Sequence, residues 1–88
     1  MKMLRVLFYT KERCSLCDDA EALLSLFEKE YSYELEKRDI YSNDLWLGQY
    51  QLQIPVIEIE GKQLNVQDIN YNSIETLLKN SQKEEPRT

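Results

Sequence analysis

Residues 4–17, LRVLFYTKERCSLC, decide the fold of this chain. The nearly continuous apolar run Leu4–Tyr9 predicts a strand that is buried on both faces. The polar residues 10–13 predict a loop. Apolar side chains at three- and four-residue spacing then predict a helix from about Ser15 to Glu30. The two cysteines of this stretch therefore lie where a first strand passes into a first helix.

Five further elements are predicted beyond the first helix. They are an edge strand Tyr33–Ile40, a short helix capped by Ser42-Asn43-Asp44, strands Val56–Glu60 and Lys62–Val66, and a last helix from about Asn72. The order β-α-β-α-β-β-α implies a right-handed parallel crossover followed by a hairpin, and so an α/β fold with a four-stranded mixed sheet. Residues 1–80 form one domain in this reading, and residues 81–88 are expected to be a disordered tail.

Two short motifs predict where elements begin and turn. Asn72 and Glu75 have the spacing of a capping box, which predicts the start of the last helix. Glu60-Gly61 predicts the tight turn of a hairpin.

Composition excludes several classes of function. The 88 residues include 11 Lys and Arg against 16 Asp and Glu, a net charge of −5, which disfavours binding to a phosphate backbone. No histidine is present, so the commonest general base and metal ligand is missing. No apolar run approaches the roughly 20 residues of a membrane span, and no export signal precedes the first strand. We therefore expect a cytoplasmic protein that binds neither nucleic acid nor membrane.

The chemistry of the chain is expected at Cys14 and Cys17, its only cysteines. A helix N-terminus favours thiolate over thiol at Cys14, and Lys11 and Arg13 add positive charge nearby. The two aspartates that follow Cys17 oppose this effect. Cys17 lies in the first helical turn, where it can attack a mixed disulfide formed on Cys14 and release the substrate.

Other interpretations of the cysteine pair remain open at this point. The pair can be two small buried side chains, or part of a binding module without turnover. A zinc site within one chain needs four ligands and finds only two, although two chains can share a metal or an iron–sulfur cluster. Pro55 can equally be an ordinary trans proline at the start of a strand, since most X–Pro bonds are trans.

Two segments resemble known proteins. The sequence YTKERCSLC, residues 9–17, with the following AEALL, residues 20–24, resembles the active-site segment of glutaredoxins. The sequence QIPVI, residues 53–57, resembles the cis-proline segment of the thioredoxin superfamily. The likeness covers roughly residues 3–80 and implies a thioredoxin-like, glutaredoxin-type fold with electron-transport or oxidoreductase activity.

The resemblance also implies roles for individual residues. Cys14 would be the attacking thiol and Cys17 the resolving thiol. The substrate-binding residues would be Lys11, which would meet a carboxylate, Arg13, Ile54 through its backbone, Pro55 in the cis form, and Asp68.

Two departures from the glutaredoxin pattern weaken the case for glutathione. Ser15-Leu16 replaces the usual Pro-Tyr between the cysteines. Many glutaredoxins also bind glutathione through Gly-Gly-x-Asp, whereas residues 65–68 here are Asn-Val-Gln-Asp. The chain is more similar to short glutaredoxin-like proteins with Cys-x-x-Cys-Asp. We expect no metal or resident cofactor, and glutathione as no more than a weak co-substrate. The expected substrate is a protein disulfide or a low-molecular-weight thiol, with an unidentified reductase or thiol donor.

Overall fold

The computed structural model describes residues 3–83. Its elements are β1 (Leu4–Thr10), α1 (Ser15–Ser25), β2 (Tyr33–Asp39), a 3₁₀ turn (Ile40–Ser42), α2 (Asp44–Tyr50), β3 (Val56–Ile59), β4 (Lys62–Leu64) and α3 (Tyr71–Lys83). Apart from the 3₁₀ turn, this is the predicted order. None of the helices described is long and apolar enough to cross a membrane.

The four strands form one mixed sheet in the order β2-β1-β3-β4. β1 runs parallel to β2 over its whole length, from Leu4 opposite Tyr33 to Thr10 opposite Asp39. β3 is antiparallel to both β1 and β4. The apolar strand β1 is therefore central and the charged strand β2 lies at an edge, as the sequence predicted. This is the thioredoxin-like α/β arrangement.

Hydrophobic clusters cover both faces of the sheet. On one face, alternate residues of β1 and β3 pack against α1, α3 and the turns that follow α1; this cluster comprises Leu4, Val6, Phe8, Cys17, Ala20, Leu24, Phe27, Tyr31, Ile57, Ile59, Ile74, Leu77 and Leu78. On the other face, a smaller cluster of Tyr9, Ile40, Tyr50 and Val56 packs under α2. From Val6 to Tyr9, consecutive β1 residues thus pack into opposite clusters, which is why this part of the strand is apolar at every position rather than alternating.

The first helix is shorter than the sequence predicted. It ends at Ser25 rather than near Glu30, because the chain tightens into turns whose amides bond back three residues. The Phe27 N–H, for example, donates to the Leu24 carbonyl at 3.0 Å. Phe27 and Tyr31 are both buried, and their four-residue spacing continues the helical pattern although the α-helix has ended.

The last helix differs from its prediction at both ends. Its N-terminal box is Asn70 with Ser73, not Asn72 with Glu75. The Ser73 N–H donates to Asn70 Oδ1 at 2.8 Å, and the Asn70 N–H donates to Ser73 Oγ at 2.9 Å. At the other end α3 continues through Lys83, and Ser81 is fully buried. The expected boundary at residue 80 therefore falls inside a helix, and the rest of the expected tail, residues 84–88, lies outside the described part of the chain.

Two local predictions agree with the structure. Asn43 caps α2, its Oδ1 accepting from the Leu45 N–H at 2.9 Å and the Trp46 N–H at 3.2 Å. Glu60 and Gly61 both have positive φ, 54° and 80°, as the two central residues of a type I′ hairpin turn require.

Candidate functional site

The cysteine pair begins the first helix. After β1, an exposed loop leads to Arg13, whose φ of 57° lies in the left-handed region. Cys14 then adopts an extended conformation and is the N-cap of α1. Its sulfur accepts a hydrogen bond from the Cys17 N–H at 3.1 Å. The position that serine or asparagine usually fills at a helix start is therefore filled by a cysteine side chain.

Cys14 and Cys17 are joined by a disulfide, with Cα atoms 5.2 Å apart. The two sulfurs differ in access to solvent. Cys17 is 2% exposed and belongs to the main core cluster, whereas Cys14 is half-buried and packs at its margin. A reagent arriving from solvent therefore meets Cys14 first.

The Ile54–Pro55 bond is cis, as predicted, and Pro55 is buried. Ile54 lies between the two core clusters and contacts both. Its N–H donates to the Tyr50 carbonyl at 3.1 Å. The resemblance implied that Ile54 offers its backbone groups to a substrate, but the N–H is already bonded within the protein.

The loop after β4 is tied to the proline segment and to itself. The Val66 N–H donates to the Gln53 carbonyl at 3.0 Å. The Gln67 N–H donates to Asn65 Oδ1 at 2.9 Å, and the Asp68 N–H donates to the Asn65 carbonyl at 2.9 Å. Three successive amides of this loop thus have partners inside the chain.

Asp68 itself ends this loop with an exposed carboxylate. Its carbonyl accepts the Ser73 hydroxyl at 2.7 Å, which fixes the approach to α3. The surrounding bonds give Asp68 a structural role in the turn, and its carboxylate remains at the surface.

Lys11 and Arg13 lie on another side of the cysteine pair. They line a depression of about 320 Å³ together with Thr10, Glu12, Asp18, Glu21, Lys37 and Asp39. An ion pair of 3.1 Å joins Lys37 and Glu21 in its wall. Because both signs of charge are mixed here, the depression is not a simple anion site. Asp68 does not line this depression.

Sequence reasoning missed an aromatic cluster on the sheet face beneath α2. Arg38 donates to the Tyr9 hydroxyl at 2.9 Å and lies 5.0 Å from the centre of the Trp46 ring. The Tyr9 and Tyr50 rings lie 4.2 Å apart. Burial raises the pKa of Tyr9, against the opposing effect of the Arg38 hydrogen bond. Through Arg38, the cluster joins the edge strand β2 to Tyr9 of β1 and Trp46 of α2. The alternating apolar and charged residues of β2 gave no indication of these contacts.

Among residues 3–83, no group of three or more His, Cys, Asp or Glu side chains is arranged to hold a metal ion. The site therefore consists of a two-cysteine couple at a helix N-terminus and a cis proline that lines the same depression as Leu16. Such a couple is suited to redox chemistry at its two sulfurs.

A thioredoxin-like sheet with a Cys-x-x-Cys disulfide at the start of its first helix defines a redox-type domain. Residues 5–79 match the model of the family described as Glutaredoxin-like domain (DUF836), and the chain belongs to that family. Among solved structures it is similar to the solution NMR structure of protein Ne2328 from Nitrosomonas europaea, with a TM-score of 0.75 and 26% identity over 89% of this chain and 94% of that one. A structure described as that of a malarial protein shares the fold at 17% identity, with a TM-score of 0.65 over 91% of this chain and 98% of that one.

Proposed function

We propose that this protein is a thiol–disulfide oxidoreductase, with Cys14 as nucleophile and Cys17 as resolving thiol. The observation that carries the proposal is the unequal setting of the two sulfurs. Cys14 is half-buried at the helix start and receives an N–H on its sulfur, while Cys17 is almost wholly buried one helical turn away.

The reaction has two exchange steps. In the first, the reduced Cys14 thiolate attacks one sulfur of a substrate disulfide, forms a mixed disulfide, and releases the other sulfur as a thiolate that takes up a proton. In the second, Cys17 loses its proton and attacks Cys14, which releases the second substrate thiolate. Two electrons pass to the substrate, and the protein is left with the Cys14–Cys17 disulfide.

The helix start supports Cys14 as the first nucleophile. A hydrogen bond to a charged acceptor stabilises by about 1.5–3 kcal/mol, roughly twice the effect on a neutral acceptor. The Cys17 N–H therefore favours the Cys14 thiolate over the thiol, and the α1 dipole acts in the same direction. Asp18, in the first turn, partly offsets this by like charge.

The loop after β4 supports a partner other than glutathione. Its amides at Val66, Gln67 and Asp68 already donate to Gln53 and Asn65, so a ligand carboxylate would have to displace those bonds. Displacement without full replacement loses affinity. We propose a protein disulfide as the physiological substrate, with a thiol reductant or reductase that regenerates the Cys14–Cys17 dithiol.

The role of each cysteine can be tested by single substitutions. Reduced wild type should reduce insulin, Cys17→Ser should accumulate a mixed disulfide with the substrate on Cys14, and Cys14→Ser should do neither. Limited alkylation of the reduced wild type, mapped by mass spectrometry, should label Cys14 first. Preferential labelling of Cys17, or trapping by Cys14→Ser but not Cys17→Ser, would reverse the assigned roles; an inactive wild type would refute the proposed activity.

A further inference from the structure

An apolar groove lies along α1 and includes Leu16, which stands between the two cysteines in the chain. Its walls are Leu16, Ala20 and Leu23 of α1 on one side, and Pro55, Val66 and Ile69 on the other. The accessible volume is about 120 Å³. A cavity of roughly 150 Å³ accepts a benzene-sized group, so this groove suits one medium-sized apolar side chain.

The groove is linked to the redox couple through its lining residues. Leu16 immediately precedes Cys17 and lines the groove together with the cis proline Pro55, and Ala20 of the same wall belongs to the core cluster that contains Cys17. Leu16 is nevertheless 57% exposed, an apolar side chain left in solvent at the point where a substrate must approach. An occupant that covers Leu16 removes apolar surface from water while its sulfur meets Cys14.

The length of the groove favours a polypeptide as its occupant. From Leu16 to Leu23 the helix rises by about 10 Å, at 1.5 Å per residue. An extended chain spans about 3.3–3.6 Å per residue, so an occupant that follows the wall carries about three residues besides its cysteine. A small thiol leaves this wall uncovered.

Charge narrows the choice of polypeptide further. Asp19 supplies the only charged side chain that lines the groove within the described residues. The whole chain carries a net charge of −5. A cationic neighbour beside the apolar side chain therefore complements the rim, whereas the carboxylates of glutathione meet like charge.

We propose that this groove binds the substrate segment next to its redox cysteine, and that it selects an apolar residue flanked by a basic one. The inference rests on the proposed exchange function and assigns Leu16 and Asp19 as the residues that determine its specificity.

Peptide disulfides test the inference on the full-length reduced protein. Three pentapeptides, Lys-Leu-Cys-Leu-Lys, Lys-Ser-Cys-Ser-Lys and Glu-Leu-Cys-Leu-Glu, are each joined to thionitrobenzoate. Attack by Cys14 on the peptide sulfur forms the mixed disulfide and releases the coloured aromatic thiolate. The mercaptoethanol adduct of the same thiolate has no side chain for the groove and is the reference substrate. The rate with each peptide is divided by the rate with this adduct.

We expect about a tenfold preference for the leucine over the serine peptide, from partial burial of one leucine side chain. Lysine should exceed glutamate by about two- to fivefold at low salt, and this difference should shrink at high salt. Leu16→Ser should reduce the leucine preference to about twofold, and Asp19→Asn should reduce the lysine preference. Leu26→Ser is the matched control, because Leu26 is also an exposed leucine of the α1 region but does not line the groove.

Equal normalised rates for the three peptides would refute the proposed binding of substrate in the groove while leaving the exchange function intact. A leucine preference that survives Leu16→Ser, or that Leu26→Ser removes equally, would also refute it. No reaction even with the mercaptoethanol adduct would refute the exchange function itself, and the inference with it.

Discussion

Substitution of Tyr33 by phenylalanine should change the pH dependence of stability in a defined way. The Tyr33 hydroxyl donates to the Leu24 carbonyl at 2.6 Å and so ties the last turns of the cysteine-bearing helix to the first residue of β2. Burial raises the pKa of Tyr33 to about 12, with a smaller contribution from the charge of Glu28.

The sign follows from proton linkage. A folded-state pKa above the unfolded value of about 10 stabilises the protein fully below pH 10, and this stability is lost as the pH rises towards 12. Two pKa units correspond to an upper bound of about 2–3 kcal/mol in that window, and solvent screening of the partly exposed hydroxyl reduces this value. At neutral pH, Tyr33→Phe loses one hydrogen bond, about 1 kcal/mol, and the Leu24 carbonyl keeps its bond from the Phe27 N–H.

The hydrogen bond favours wild type at neutral pH, and ionisation of Tyr33 disfavours it at alkaline pH. The curves of unfolding free energy against pH for wild type and Tyr33→Phe should therefore cross. Wild type should be more stable than Tyr33→Phe by about 1 kcal/mol near neutral pH and less stable above about pH 11. Urea unfolding of the oxidised protein, followed by circular dichroism from neutral pH to about pH 12, measures the free energy of unfolding in both pH ranges. The oxidised form is used because its disulfide-bonded cysteines do not titrate.

Tyr41→Phe is the matched control, since Tyr41 is 64% exposed. It should follow the wild-type curve without a crossing. A constant difference between wild type and Tyr33→Phe at every pH would contradict the link between burial of this hydroxyl and alkaline unfolding.

Three further substitutions address other features. Ser81→Ala should raise the free energy of unfolding by about 1 kcal/mol, because Ser81 Oγ is buried and has no hydrogen-bond partner among residues 3–83; a lower melting temperature would contradict this. Arg13→Gly should stabilise by about 0.5–1 kcal/mol relative to Arg13→Ala in urea unfolding, because its φ of 57° suits glycine; equal stability of the two variants would show that this conformation carries no cost. Asn65→Gly should reduce a glutathionylated substrate about fivefold faster than wild type, because it frees the Gln67 N–H from the Asn65 side chain. Asn65→Asp keeps the acceptor and should show no gain, and a wild-type rate for Asn65→Gly would disprove the blocking role.

The parts of the fold that could be predicted depend on strong local patterns. β1 is apolar from Leu4 to Tyr9 except at Arg5, and the Glu60-Gly61 turn contains a glycine, which tolerates positive φ. The start of α3 was predicted to within one residue, but its capping box was assigned to the wrong pair, because two pairs have capping-box spacing. Asn70–Ser73 prevails over Asn72–Glu75 because the Ser73 hydroxyl also holds the Asp68 carbonyl, a contact made only in the folded chain.

The candidate site was predictable where it follows from neighbours in the chain. The cysteine pair and its position before a helix are readable in residues 4–17. The bond from the Val66 N–H to Gln53 and the groove lined by Pro55 depend on segments that are distant in the chain, so no local pattern shows them, whereas the bonds of Gln67 and Asp68 to Asn65 are local. The burial of Ser81 does have a sequence signal, since its position continues the helical spacing of the core residues Ile74 and Leu78.

The hydrogen bond from the Cys17 amide to Cys14 sulfur gives the helix a built-in spectroscopic indicator of its oxidation state. The acceptor of that amide is the very atom that changes between disulfide, thiolate and mixed disulfide during exchange. The ¹⁵N–¹H resonance of Cys17 therefore reports each chemical state from inside the backbone, without an attached dye or a substituted residue. A titration with thiol buffers, observed at this one amide, would follow the redox couple and the first turn of its helix in the same spectrum.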